Sequence, residues 1–502
     1  MIIDDQYYNI IIIGTGAGGG TLVHKLAPTG KKILVLERGN FLPPENKNLS
    51  DTEIFKRERY HAPEQWYDNA GEPFHPQTNY SVGGNTKIYS GALLRMRERD
   101  FEEVKHQEGI SREWPLKYQD FEPYYTEAEK LYRVHGKQGD DPTEPYRSED
   151  YPHPPVSHES QILSICDRIS KQGLHPAHLP LGLQEKEVKT DAEVKGIVPA
   201  LSYPNVTLKT DAKAVCLHTN PSGVEVKAVQ VEIDGQSHLF FADIFVVACG
   251  AIKSAALLLR SANGSHPKGI GNSSDQVGRN FMKQQMTAVV QLTPTANSGL
   301  FQRTLYINDF YWGYGDYPYP MGHIQNSGGL FQDVIFAESP PILSILAKLL
   351  PGFGLRQLAT RSIGWWLQTE DLPTPNNRVR AVGSKLYLDY TPNNAEAHDR
   401  LVYRWQDVLK AVDSNTSGTV FSRNIHPRGE VPIQVVAHQC GTCLFGSDPA
   451  TSVLDLNCRT HDVDNLYVVD GSFFPSSSAV SPALTIMANA LRVGEHLIER
   501  LG

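Results

Sequence analysis

Between the apolar run Tyr8-Asn9-Ile10-Ile11-Ile12-Ile13 and the helically spaced TLVHKLA lies Gly14-Thr15-Gly16-Ala17-Gly18-Gly19-Gly20. A second apolar run, Lys32-Ile33-Leu34-Val35-Leu36-Glu37, closes on an acid about twenty residues after the turn, the spacing of a βαβ dinucleotide site. Gly14, Gly16, Gly18 and Gly19 let backbone approach a pyrophosphate. The helix opening at Ala17 offers unpaired N–H groups and the positive end of its dipole. Glu37 is placed to accept hydrogen bonds from ribose hydroxyls, and its neighbour Arg38 is assigned to the same ligand. A second chemistry centres on His438, which follows Ile433-Gln434-Val435-Val436-Ala437, read as an apolar strand, and precedes a turn. An imidazole presented at a sheet end, with an ordinary pKa near neutrality, suits a proton acceptor. Just beyond it Cys440 and Cys443 form a CxxC. Zinc would need a second ligand pair at similar spacing, and a redox dithiol would open a helix near the βαβ unit. The sequence offers neither, so we expect incidental thiols and no metal.

The elements that must position these residues can be read outward from them. Tyr8–Ile13 and Lys32–Glu37 read as buried parallel strands. NVTLKT, AVCLHT, VEVKAVQVEI and DIFVVACG, within 205–250, read as further strands. Cys249-Gly250-Ala251 then opens a helix, IKSAALLLR, which again places backbone N–H groups near a phosphate-bearing ligand. Residues 41–80 are rich in Pro, Asn and Glu and read as a surface excursion, whereas Asp120–Val134 reads as a helix. Alternating β patterns fill much of 285–430, which we assign to substrate recognition.

With 40% hydrophobic and 21% charged residues, a chain of 502 residues has material for a large core and more than one lobe. The net charge of −9 argues against nucleic acid as a partner. No run reaches the roughly 20 apolar residues that cross a bilayer. Asp4 and Asp5 stand where an export signal would carry positive charge, and six scattered cysteines suit reduced thiols, so we expect a cytoplasmic protein. The apolar segment Pro341–Leu350 is too short to span. A buried or lid helix, or peripheral contact with a membrane surface, are its alternatives.

Three separated segments together resemble the glucose–methanol–choline (GMC) family of flavin oxidoreductases. They are the GTGAGGG loop with Glu37, then Val82-Gly83-Gly84-Asn85-Thr86-Lys87-Ile88-Tyr89-Ser90-Gly91 followed by Leu94-Arg95, and last the C-terminal blocks HQCGTCLFGSDPATSVLD, DNLYVVDGSFFP and SPALTIMANALR. Residues 246–261 and 277–281 are similar to the stretches the family carries between them. The likeness is weakest over 285–430, and in feel the chain is nearest the pyranose-oxidase and sugar-dehydrogenase branch.

The resemblance implies an α/β fold: a Rossmann-like FAD-binding domain beside an α+β substrate domain built on a large antiparallel sheet. The expected boundaries are 1–155, 205–284 and 431–502 for the FAD-binding parts, 156–204 for a connecting, substrate-side segment and 285–430 for the substrate domain. It implies FAD, bound non-covalently because Ile88 occupies the place where some relatives carry the flavin-linking histidine. Gly83, Gly84, Asn85, Val215, Asp470, Gly471 and Pro482 are assigned to the cofactor by the same likeness, with Asp470 toward the ribityl chain and Ser90 toward flavin N5. It implies oxidation of a CH–OH group, with His438 as catalytic base and Ser481 at the second active-site position, where relatives carry His or Asn. Leu444 is a further departure, at a place where many relatives have arginine. The expected substrate is a small-molecule alcohol, with a sugar or polyol favoured over a sterol. The electron acceptor is O2, a quinone or another oxidant. A lyase on the same scaffold, or a weakly active flavoprotein with a binding role, are the rival readings.

Overall fold

The computed structural model describes residues 2–42, 62–184, 188–293, 303–328, 360–414 and 426–502. Ile10–Ile13 and Ile33–Leu36 are buried on both faces, as inner parallel strands must be, and this explains their uninterrupted apolar character. They belong to β1 (Ile2–Ile13) and β2 (Ile33–Leu36) of a seven-stranded sheet. The others are β3 (Val206–Lys209), β4 (Lys213–Thr219), β5 (Val226–Ile233), β6 (Gln236–Val247) and β7 (Leu466–Val468). The order is β3-β2-β1-β6-β5-β4. β6 pairs in parallel with β1 along one edge; along the other, its first half pairs antiparallel with β5 and its last three residues pair in parallel with β7.

Thus β1, β6 and β7 end side by side, and each end leads into a turn. Helices α1 (Ala17–Leu26) and α2 (Ala251–Arg260) start just past the ends of β1 and β6. α3 (Ala483–Leu501) packs on α1 so closely that a Cβ at Gly494 would lie 2.8 Å from Lys25 Cγ. The crevice outside the carboxyl ends of parallel strands is where open α/β sheets bind ligands.

A second sheet is antiparallel throughout. Its six strands run in the order Arg428–Glu430, Gln285–Leu292, Ser362–Thr369, His323–Gly328, Leu305–Ile307 and Ala177–His178. Its own apolar core lies against the helices Ser160–Ser170 and Ala395–Ser414, with Trp365 and Trp405 meeting edge to face at 4.7 Å. Gln284, the residue before the strand Gln285–Leu292, is where this sheet begins next to the ends of β1, β6 and β7.

The observed helix Tyr118–Leu131 falls within three residues of the predicted one. The reading of 41–80 as surface is corrected over its described part. Trp66 and Phe74 are buried and lie in the short strands Trp66–Tyr67 and Pro73–Phe74, which join Lys385–Asp389 in a four-stranded sheet. A polar, proline-rich composition hid two anchoring rings. The strand expected at Ile433–Ala437 is also absent: the segment is turn and irregular backbone, although Val436 is fully buried. Residues 341–350 lie outside the described residues. No helix among the described residues is long and apolar enough to cross a membrane.

Candidate active site

The glycine turn is tight because its residue types forbid anything else. Gly14 has φ +106°, and a Cβ there would lie 2.3 Å from the Ala248 carbonyl oxygen. At Gly18 it would lie 1.9 Å from Val469 O, and at Gly19 2.0 Å from Gly14 O. These glycines press the turn against the ends of β6 and β7. Gly16 differs: a Cβ there would meet nothing within 4 Å, so its face opens on the crevice. Gly16 is also the N-cap of α1 and offers no side chain to the first-turn N–H groups, which begin at Ala17. Gly84, at φ +54°, brings the second glycine turn so near that a Cβ there would lie 3.1 Å from Gly16 Cα, and Gly83 N donates to Thr15 Oγ1 at 3.0 Å. The two predicted turns therefore form one backbone-walled cradle with unspent donors. It fits the pyrophosphate of FAD.

Glu37 is buried and engaged. Its Oε2 accepts from Thr15 N at 3.2 Å and Thr15 Oγ1 at 2.5 Å, and its Oε1 from Gly39 N at 3.0 Å. Burial raises its pKa despite these bonds. Arg38 pairs with Glu64 at 3.2 Å and stacks over Tyr80 at 3.6 Å, so its charge is directed at protein groups. Asn85 Oδ1 accepts from Asn79 N at 2.9 Å and fixes the loop before the second turn. Ser90 is half-buried and accepts from Ala92 N at 3.4 Å. Val215 falls at a bulge in β4, where the pairing steps from Ala214 to Cys216, three residues past the bond from Ala212 N to Glu37 O.

Asp470, just past β7, is buried and joins two of these ends. Its Oδ2 accepts from Gly250 N at 2.9 Å and from Ser254 Oγ, and its Oδ1 accepts from Ser472 N at 2.9 Å. Gly471 is pressed against the chain after His438, since a Cβ there would lie 2.5 Å from Gln439 O. Pro482 is the N-cap of α3. Cys440 and Cys443 are buried and unpaired, and the Cys440 backbone pairs with Met282. No group of acids, histidines and cysteines among the described residues is arranged to hold a metal.

His438 sits in a turn at φ +54°. Its Nδ1 lies 2.8 Å from Gln284 Oε1, and its Nε2 has no hydrogen-bond partner among the described residues. Part of the ring remains open to the crevice, yet it lies deep in the protein. Burial first, and then the positive charge of Lys283, lower its pKa to about 4. The imidazole is therefore neutral at pH 7. Gln284 is fully buried and donates through Nε2 to the carbonyls of Ser477, Ser478 and Val480 at 3.3, 2.9 and 2.8 Å. That run leads into Ser481, which is 5% exposed and makes no hydrogen bond to a described residue. His438 and the Ser481 segment are thus linked through one amide.

The same run is fastened on its far side to a wall of buried charge. Ser478 N donates to Glu370 Oε1 at 3.1 Å, Ala479 N to Tyr311 Oη at 3.2 Å, and Trp114 Nε1 to Ser476 Oγ at 2.8 Å. Asp100 accepts from Tyr311 and, with Glu370, His106, Trp312 and Ala479, lines a small cavity. Burial, reinforced by Glu370, raises the Asp100 pKa to about 7, and burial raises that of Asp371 to about 6. The aromatic-rich stretch 303–320 is largely committed to packing: Tyr306, Phe310, Tyr311 and Tyr317 are buried, and Arg99 lies 4.7 Å from the Trp312 ring.

The structure thus brings Gly14, Gly16, Ala17, Gly18, Gly19, Gly83 and Gly84 together with Asp470 and Gly471 at the ends of β1, β6 and β7. The Arg38 guanidinium is engaged by Glu64 and Tyr80. Sequence reading missed Gln284, Asp100, Glu370 and Asp371. The one signal available was the polar pair Gln284-Gln285 opening an apolar strand.

Comparison with known proteins agrees with this geometry. The sequence matches the N-terminal GMC oxidoreductase family model over residues 8–286 and the C-terminal one over 382–490. It is 29% identical to 6'''-hydroxyparomomycin C oxidase of Streptomyces lividus, across 99% of this chain and 92% of that protein. It is 28% identical to paromamine 6'-oxidase of Streptomyces fradiae, across 97% of this chain and 91% of that one. Among solved structures it is similar to pyridoxine 4-oxidase from Mesorbium loti, with a TM-score of 0.69 at 18% identity over 97% of this chain and 99% of that one. With both family models matched in order around the glycine cradle and the His438 turn, the chain belongs to the GMC oxidoreductase family, FAD-dependent enzymes acting on alcohol groups.

Proposed function

We propose that the protein oxidises a CH–OH group of a sugar-like polyol or amino sugar, with non-covalently held FAD and His438 as base. The observation that carries this reading is the state of His438. It is a neutral imidazole beside the glycine cradle, with one nitrogen anchored and Nε2 unengaged. When bound, FAD supplies the acceptor for the hydride leaving the carbinol carbon. Gly14, Gly16, Ala17, Gly18 and Gly19 with Gly83 and Gly84 would hold its pyrophosphate. Glu37, Arg38 and Val215 would lie toward its adenosine end, and Asn85, Ser90, Asp470, Gly471 and Pro482 toward the ribityl chain and ring. Ile88 carries no group able to bond covalently to the ring.

His438 Nε2 takes the hydroxyl proton as the O–H bond breaks, and Ser481 donates to or accepts from the same oxygen. An amino sugar is favoured by two relatives, named as oxidases of 6'''-hydroxyparomomycin C and of paromamine. The domain boundaries given above, and a reducing, cytoplasmic setting for six unpaired thiols, belong to the same reading. Anaerobic mixing of the holoenzyme with sugars, polyols, amino sugars, aryl alcohols and sterols, followed by flavin absorbance, tests it. Bleaching by a polyol or amino sugar is the expected result. An unbleached flavin with every alcohol would instead favour a lyase or a binding role.

A further inference from the structure

We propose that Gln284 is a positioning residue that selects the reactive tautomer of His438 and fixes the Ser481 segment with the same amide. This rests on His438 being the base.

The orientation of the amide is settled by its surroundings. Its Nε2 faces the carbonyl oxygens of Ser477, Ser478 and Val480 at 2.8 to 3.3 Å. Turned over, Oε1 would confront three acceptors with no donor among them, in a fully buried place. Oε1 must therefore point at His438, and a carbonyl oxygen can only accept. The hydrogen between them, across 2.8 Å, belongs to His438 Nδ1. A neutral imidazole protonated at Nδ1 carries its lone pair on Nε2, the nitrogen left without a protein partner. As the substrate O–H bond breaks, its proton forms the N–H bond at Nε2, and the Nδ1–H bond to Gln284 persists in the resulting imidazolium.

The backbone around this contact is held in an unfavourable conformation. Gln284 has φ +62°, Ser478 +51° and Asn280 +59°, in addition to His438 itself. Left-handed backbone costs non-glycine residues free energy and persists where the surroundings over-determine it. Here it aims the His438 ring and the Gln284 amide at each other and turns the Ser478 carbonyl toward that amide. The base and the segment carrying its partner thus depend on one side chain that begins the antiparallel sheet.

The test uses holoenzyme with isotope-labelled histidine nitrogens, the His438 signals being assigned by their loss in His438→Asn. The inference expects a protonated Nδ1 and a bare Nε2 for His438 in the parent enzyme, a result that needs no Gln284 variant. Gln284→Met should retain FAD, mix the two tautomers and slow anaerobic flavin reduction by about tenfold or more. Gln284→Glu keeps an acceptor for Nδ1–H, so it should restore the single tautomer and move the acid limb of the rate profile to higher pH. A protonated Nε2 in the parent would overturn the inference. So would a Gln284→Met enzyme that matches the parent in both spectrum and rate while His438→Asn is inactive. An active His438→Asn would remove the base assignment itself.

Discussion

The two sides of the crevice are built by different means. On the cofactor side the walls are backbone: glycines at 14, 18 and 19 lie within 2.3 Å of a carbonyl oxygen when given a Cβ, and the donors are main-chain N–H groups. On the substrate side the wall is side chain: Arg97 on Asp141, Tyr311 on Asp100, Ser111 on Glu370 and Gln284 on His438. A backbone wall tolerates almost no change in residue type but recognises only what every dinucleotide shares. A side-chain wall can change one residue at a time and so carries specificity. The difference predicts where substitutions abolish the protein and where they retune it.

The largest effect belongs to the cradle. Gly18→Ala must move β7 or the turn, because its Cβ falls 1.9 Å from Val469 O, and we expect a loss of more than about 4 kcal/mol, read as failure to fold or to retain flavin. Gly16→Val provides the contrast, since its Cβ meets nothing within 4 Å and its φ is −69°. The flavin-free variant should unfold in urea at the parent midpoint yet retain little FAD. If Gly16→Val binds FAD as the parent does, the cofactor does not occupy the space that Gly16 faces.

Next comes the wall's buried ion pair. Arg97 and Asp141 are both buried and meet at 2.5 Å, with Asn308 Nδ2 on the same carboxylate oxygen at 2.8 Å. Asp141→Asn keeps the shape and removes the charge, which leaves a guanidinium buried without its counter-ion. Urea unfolding should show a loss of about 3 kcal/mol or more, with the flavin content per folded chain unchanged. An equal loss of flavin would mean that the two walls are not separable.

The same contrast explains what could be read from sequence. Continuous apolar strands and glycine turns are local, and their residue types are forced by burial on both faces and by steric contact, so β1, β2, β6 and the cradle were legible. The wall is assembled from partners far apart in the chain. Ser111 meets Glu370 across 259 residues, Trp114 meets Ser476 across 362, and Gln284 meets His438 across 154. No spacing rule links such pairs. Ile433–Ala437 was misread because a short apolar run is equally a strand or a buried turn. The left-handed φ of His438 left no periodic trace in the sequence.

The wall also sets the pH response. Burial lowers the pKa of His438 and His398 to about 4 and of His323 to about 3. Each stays neutral in the folded state while its unfolded form takes up a proton near pH 6.5, so each contributes stability that is lost as pH falls from 6.5 toward 4. Over much of that window Asp100 and Asp371 act oppositely, because their raised values keep protons on the folded chain. The activity signature is cleaner than the stability one. The acid limb of kcat/KM should lie near pH 4 in the parent and at higher pH in Gln284→Glu. A limb at pH 6 to 7 would mean that the base is solvated as an ordinary imidazole.

The smallest expected effect is the most discriminating, because it separates catalysis from stability at Ser481. Its hydroxyl makes no hydrogen bond to a described residue, and the adjacent Val480 carbonyl is already satisfied by Gln284. Ser481→Ala removes one oxygen to which no described residue is hydrogen-bonded, so urea stability should change by less than about 0.5 kcal/mol. If the hydroxyl meets the substrate oxygen, the loss appears in catalysis alone: one hydrogen bond of about 1 kcal/mol lowers kcat/KM about fivefold. Both measurements are needed on the same preparation. A lower rate with unchanged stability makes Ser481 the working partner of His438. An unchanged rate leaves His438 acting alone, and the backbone wall would then meet a side-chain wall whose only catalytic contribution is the amide that aims the base.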